Sequence, residues 1–178
     1  MKIAIFHDYF GAIGGGERVT LDLATTLDAD IITTDTESAT NPITSINIIS
    51  LGKTIKFYPL KQISSTYMFY MADFLDAYDF YIFTGMWSHY AAHRHSPNLW
   101  YCYTPPRVFY DLYQSTSSRL PFGKQHLNHL WITCHRMLDK KSVNKVENIV
   151  AISNTVKDRI FNYYNRDADI IYPSVNTS

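Results

Sequence analysis

Three short stretches carry residue types suited to gripping an anion. Gly14-Gly15-Gly16-Glu17-Arg18 follows the apolar start Ile3–Phe6, Tyr103-Thr104-Pro105-Pro106-Arg107 follows Leu99–Cys102, and Ser153-Asn154 follows Ile149–Ile152. Each places backbone N–H groups or a basic side chain just past a run of strand length. In an open α/β sheet, ligands bind outside the carboxyl ends of the strands, so the three stretches belong to one edge. Glycines let the backbone approach a ligand with no Cβ in the way. A helix opening at Glu17 would aim its unpaired N–H groups and positive dipole end at the same spot, which suits phosphate. The competing reading of the glycines is a turn needed only for strand-to-helix packing. Pro105 and Pro106 fix φ and remove donors. Arg107 then has a rigid base from which to hold an anion by two hydrogen bonds, or to pair with Asp111 one turn on. Ser153 is a favoured N-cap; beyond capping, it would turn another helix N-terminus toward the cleft.

Other patterns are weaker. Thr84-Gly85 ends an apolar run, and His89 follows one helical turn later. His89 and His93 could share a helix face, but spacing supplies no third ligand and His95 leaves that face, so no metal is expected. What remains is a helix with solvent-facing histidines, ended before Pro97, or a single functional histidine, His89. The dinucleotide fingerprint fails at Val19, where its last glycine belongs, and no Gly-Lys-Ser/Thr follows as in a P-loop. Asp35 still lies about 20 residues on, the place of a ribose-binding acid. A dinucleotide (NAD)-binding module using Gly14–Gly16 and Asp35 is therefore a competing function. Cys102 and Cys134 sit in no C-x-x-C pair and are expected as two buried thiols rather than a disulfide.

The elements that must position these residues alternate. Strands are expected at 2–7, 30–34, 43–51, 55–60, 80–84, 99–104, 148–152 and 169–172, with the third and fourth split by Gly52. Helices are expected at 17–27, 62–77, 87–95, 124–146 and 154–164. In the longest, Leu127, Leu130, Trp131, Cys134, Met137 and Leu138 form an amphipathic stripe. This alternation predicts an α/β fold: a Rossmann-like, open, mainly parallel sheet with helices on both faces.

The 178 residues, 46% apolar and 18% charged, suffice for one globular domain with a real core. No apolar run approaches the roughly 20 residues of a membrane helix. Asp8 ends the first apolar run too early for a secretory signal, so a cytoplasmic protein is expected. Net charge is zero, yet residues 51–145 hold eleven basic groups against five acids. That is too little for nucleic-acid binding, and it suits an anionic partner such as a phosphate or a lipid headgroup. Within it, 53–71 mixes Lys53, Lys56 and Lys61 with Phe57, Tyr58, Tyr67, Phe69, Tyr70 and Met71. That segment reads as a core helix with solvated lysines or as a peripheral contact at the inner face of the membrane.

In order, the pieces resemble the N-terminal half of a retaining nucleotide-sugar glycosyltransferase of family 4, the group 1 transferases. The matching residues are Gly14-Gly15-Gly16-Glu17-Arg18-Val19, Gly85-Met86-Trp87-Ser88-His89, Tyr101 to Arg107, Ser153 to Ile160 with Tyr163-Tyr164, and Ile170 to Asn176. The resemblance spans nearly the whole chain. It implies half of a GT-B fold: an acceptor-binding domain over 1–173, with 174–178 opening the interdomain hinge and a donor-binding half in cis or on a separate chain. It implies transfer of a sugar from a nucleoside diphosphate donor to a glycan or lipid-linked acceptor, with no cofactor and no enzyme nucleophile. The chain alone is expected to be inactive. The resemblance places Gly14, Gly15, Gly16 and Glu17 at the donor diphosphate, and Thr84, Gly85, Arg107, Ser153 and Asn154 at the acceptor. His89 and Tyr103 are its catalytic candidates. Many relatives have histidine at the position of Tyr103, and a tyrosine hydroxyl is a poor base at neutral pH. Asn165 stands where relatives often have glycine, a place Asn tolerates in the left-handed region. A non-catalytic subunit acting with a partner chain is the third reading.

Overall fold

The computed structural model describes residues 1–10, 13–36, 46–57 and 60–173. Gly11, the first residues of the 43–51 strand, Tyr58-Pro59 and the hinge 174–178 lie outside the described residues. Among the described residues seven strands form one sheet: β1 (Ile3–Tyr9), β2 (Asp30–Thr34), β3 (Ile48–Ser50), β4 (Phe80–Thr84), β5 (Asn98–Cys102), β6 (Asn148–Ala151) and β7 (Asp169–Ile170). Their order is β3-β2-β1-β4-β5-β6-β7, and every pairing is parallel. The chain winds outward from β1 to β3, then returns to the other side of β1 as β4. The crevice between the ends of β1 and β4 is thus the topological switch point, where such sheets bind ligands.

Strands buried on both faces are apolar at successive positions, and these are. Ala4 and Phe6 of β1, Phe83 of β4, Trp100 of β5 and Ile149 of β6 point to one face. Ile3, Ile5, Ile82, Tyr101 and Val150 point to the other. The two faces are covered unequally. The first receives α2 (Leu60–Met71), a 3₁₀ segment (Ser88–His93), α4 (Phe122–Val143) and α5 (Asn154–Tyr164). A short α3 (Tyr113–Ser117) precedes α4. The second face receives α1 (Gly15–Leu27).

Local chemistry sets the ends. Glu17 accepts the Gly14 N–H at 2.9 Å to open α1, and Asp28 closes it in the left-handed region at φ 50. Ser153 Oγ accepts the Val156 N–H at 3.3 Å to open α5, and Asn165 closes it at φ 53. The sequence pattern misplaces three elements. Residues 55–57 are not a strand. The helix expected to reach Ala77 stops at Met71, where Asp73 turns the chain by accepting the Leu75 N–H and Asp76 takes φ 62. The helix expected over 87–95 is the 3₁₀ segment.

The stripe of α4 is a larger correction. Leu127, Leu130, Cys134, Met137 and Leu138 are exposed; the buried side is Ile132, His135, Asp139, Ser142 and Val143. The helix turns a polar side inward because Asp139 is fully satisfied there. Its carboxylate takes His89 Nε2 at 3.0 Å and the hydroxyls of Tyr110 and Tyr164 at 2.8 Å each. Burial, with Asp139 close by, pushes both tyrosine pKa values up, so the hydroxyls stay donors. Cys102 is a buried thiol as expected, whereas Cys134 is exposed; neither is in a disulfide.

Two predictions follow from this layer. Removing Asp139 takes the acceptor from buried His89 and Tyr164 and from half-buried Tyr110, so Asp139→Ala should lower unfolding free energy by about 3–5 kcal/mol in urea titration. Stability should also depend on pH through the buried histidines. His95 accepts the Phe74 N–H on Nε2 at 3.1 Å, and its Nδ1 donates to Ala91 O at 2.7 Å, which fixes it as neutral. Burial lowers the pKa of His95 and of His135 below their ordinary 6.5. Below that value the unfolded chain takes up protons that the folded chain refuses. The stability they contribute is complete above pH 6.5 and is lost as pH falls below it, by up to about 1.4 kcal/mol per unit for each histidine. His95→Leu should make that fall shallower.

Candidate functional site

The site is built at the switch point. Just before its last residue, Tyr9, β1 carries His7-Asp8, two polar residues that are both buried. His7 lies beside Thr84 of β4 in register. Its Nδ1 is 2.9 Å from Thr84 Oγ1 and 3.1 Å from Thr20 Oγ1 of α1. Thr20 Oγ1 donates to Gly16 O at 3.0 Å and meets the Tyr103 hydroxyl at 2.8 Å. His7 Nε2 faces Glu17 Oε1 at 4.0 Å, an ion-pair distance rather than a hydrogen bond. The His7 imidazole nonetheless holds the Glu17 carboxyl below its usual range. A polar chain therefore runs from Glu17 through His7 and Thr20 to Tyr103, joining α1, β1, β4 and the end of β5.

Asp8 fixes the next turn. Its carboxylate accepts the N–H groups of Met86, Trp87 and Ser88 at 2.6, 2.8 and 2.9 Å. Burial raises its pKa, while His7 and the three donors oppose that rise. Gly85 sits under this clamp at φ +94, and a Cβ there would lie 2.5 Å from Asp8 Oδ2. Gly85 is thus explained by the clamp, and Thr84 is buried, donating to Phe6 O. Neither presents itself to an acceptor.

The glycine loop divides in two. Gly16 gives way to a ring: a Cβ on it would stand 3.2 Å from Tyr103. Gly15 is exposed with nothing near its Cβ position, and α1 starts there. The first turn of α1 is therefore reachable by an anion, but the Glu17 carboxylate already occupies the Gly14 N–H. Tyr103 is partly exposed beside it, and burial raises its pKa well above the usual tyrosine value, so it acts only as a neutral donor or acceptor.

Other expected residues are placed differently. His89 is a correction. It has no exposed surface, stacks against Trp100 at 4.7 Å and binds Asp139, because the 3₁₀ segment turns it into the core rather than toward the edge. His95 is buried too, and His93 stands against Tyr70, so the three histidines do not converge. Arg107 is gripped by Asp111 through Nε at 3.0 Å and a terminal nitrogen at 2.6 Å. That pair holds the exposed Asp111 carboxyl down at about 2. Ser153 caps α5, and Asn154 Nδ2 reaches the Tyr172 hydroxyl at 3.3 Å. Arg159 of α5 reaches Thr104 Oγ1 at 3.5 Å, linking the second and third sequence stretches. Asp35 has both carboxylate oxygens engaged by Thr54, which leaves no lone acid waiting for a ribose.

Sequence reasoning missed His7, Asp8, Thr20 and Arg159. Only the polar pair His7-Asp8 ending an apolar strand could have signalled the first two. A separate, mainly apolar groove of about 250 Å³ lies beside α1, lined by Val19, Leu23, Leu99, Tyr101 and Val150. Its polar lining is Asp22, Thr26 and two tyrosines, with no cation to hold a sugar phosphate.

With this geometry in hand, the comparisons are specific about fold. No protein-family model matches the chain, and no curated protein matches it in sequence. Among solved structures, the apo form of the lipopolysaccharide outer core galactosyltransferase WaaB matches over 100% of this chain with a TM-score of 0.60 and 16% identity. The chain spans about half of that structure, 47% of its length. The arrangement is thus an all-parallel, Rossmann-like α/β domain corresponding to one half of a GT-B glycosyltransferase fold.

The clamp and the loop predict opposite responses to the same substitution. Gly85→Ala should cost roughly 2–5 kcal/mol, from a strained φ and a displaced Asp8. Gly15→Ala, with open space around it, should change stability by less than about 1 kcal/mol. Thermal or urea unfolding of the two variants checks both.

Proposed function

We propose that the chain is the acceptor-side domain of a retaining, nucleotide-sugar-dependent glycosyltransferase of family 4, hexosyl-transferring in type. The observation that carries this reading is the open N-terminus of α1 at the switch point, next to Tyr103, in a fold shared with a galactosyltransferase. In this reading a donor-binding half, in cis or on a partner chain, supplies most of the nucleotide-sugar site. The first turn of α1, through Gly15 and Gly16, faces the donor diphosphate, whose leaving charge the helix N-terminus stabilises. Tyr103 orients a sugar hydroxyl through a neutral hydrogen bond, held in place by Thr20. The acceptor, a glycan or a lipid-linked sugar, lies along Thr104, Arg159, Ser153 and Asn154.

His89 takes no part beyond holding Asp139. Arg107 acts on an acceptor only if it exchanges Asp111 for an acceptor anion. The co-substrate is the sugar nucleotide, with no metal or organic cofactor. The dinucleotide-binding alternative loses its acid, since Asp35 is held by Thr54.

The test is calorimetric titration of the chain with UDP, GDP, ADP and NADH. A nucleoside diphosphate should bind more tightly than NADH. Because the Glu17 carboxylate places a negative charge beside the same turn, Glu17→Gln should tighten diphosphate binding by about two- to fivefold. NADH binding in preference to every diphosphate would overturn the proposal, as would a Glu17→Gln variant that binds diphosphate more weakly.

A further inference from the structure

Two helices on one face of the sheet turn apolar residues to solvent. In α4 the side opposite Ile132 and Asp139 carries Leu127, Leu130 and Met137, with Leu130 62% and Met137 67% exposed. In α2 the buried residues are Ser65 and Phe69, and the opposite side carries Ile63, Tyr67 and Met71, all exposed. Both helices pack on the same core cluster, so both stripes look away from the sheet. A solvated helix puts its polar side outward; two in one layer that leave large apolar side chains in solvent mark an interaction surface.

Charge identifies what covers it. The single carboxylate within α2 and α4 is Asp139, and it is buried. Lys124, Lys140 and Lys141 of α4 and Lys145 just beyond it are exposed, with no ion-pair partner among the described residues. The carboxylates nearest in sequence are Asp73 and Asp76, past the end of α2, and Glu147, past the end of α4, which accepts the Ser96 hydroxyl. Lysines at the end of α4 also suit its dipole, but the dipole does not explain the leucines beside them. A second copy of the chain would bring the same lysines face to face, which is repulsive. An apolar stripe flanked by cations fits a surface that is apolar beneath and anionic above.

We propose that the outer side of α2 and α4 docks on an anionic lipid bilayer, with Leu127, Leu130 and Met137 at the acyl boundary and the lysines among the headgroups. The contact places the domain on the membrane without any helix crossing it; no described helix is long and apolar enough to cross. Docking needs no sugar chemistry, so its failure and failure of the transfer reading are separate results.

The experiment is vesicle flotation of the whole chain with phosphatidylcholine, alone or mixed with phosphatidylglycerol. The chain should float with the mixed vesicles and far less with phosphatidylcholine alone. Leu130→Glu combined with Met137→Glu should reduce partitioning about tenfold or more. Lys140→Gln with Lys141→Gln should reduce it by roughly fivefold per cation removed. Both pairs should melt like the parent chain, since the altered side chains are exposed. Flotation that ignores phosphatidylglycerol, or that both variant pairs leave unchanged, would overturn the proposal. So would absence of vesicle binding together with self-association, or association with another protein, that the Glu pair abolishes.

Discussion

The carboxylate at the end of the first strand sets the geometry of the functional edge. Asp8 accepts three successive N–H groups from the turn after β4, and its backbone carbonyl takes the Thr34 hydroxyl from β2. One residue thereby ties the ends of β1, β2 and β4, at the point where strand order reverses. Burying a carboxylate is costly unless donors replace its water, and here they do so nearly in full. Gly85 exists to leave it room. With that clamp closed, His7 faces Thr84 and Thr20, and Thr20 holds Tyr103 beside the first turn of α1. A second buried carboxylate, Asp139, ties the 3₁₀ segment, α4 and α5 in the same way on one side of the sheet.

These two anions explain what the sequence showed and what it hid. The strand–helix alternation, the parallel sheet, and the caps at Ser153 and Asn165 were legible because they rest on local rules of periodicity and capping. The stripe of α4 was legible as a pattern and misleading as to side. Periodicity tells which residues share a face, not whether that face meets the core. Here the tie to Asp139 turned the polar side inward. His89 misled for the same reason. Its position after Gly85 suggested the edge, whereas its partner lies 50 residues away in α4.

The candidate site was legible at its backbone and opaque in its side chains. The glycine turn and the Tyr103–Arg107 turn are local features, and both flank the switch point. The pairing of Arg107 with Asp111 was visible as an alternative from their spacing of four. The polar chain through His7, Thr20 and Thr84 joins residues far apart in sequence, and no motif spacing encodes it. What remains at the surface is modest: a helix N-terminus partly occupied by its own Glu17, and a neutral tyrosine hydroxyl. Such an edge can orient a ligand and stabilise charge.

The most direct measurement is an amide NMR titration of the ¹⁵N-labelled chain with inorganic pyrophosphate. The proposed anion site is the first turn of α1, so the largest shifts should fall on Gly15 and Gly16, with smaller ones at Tyr103 and Thr104. Shifts confined to another surface, such as the lysines of α4 or the groove beside Val150, with Gly15 and Gly16 unmoved, would contradict it.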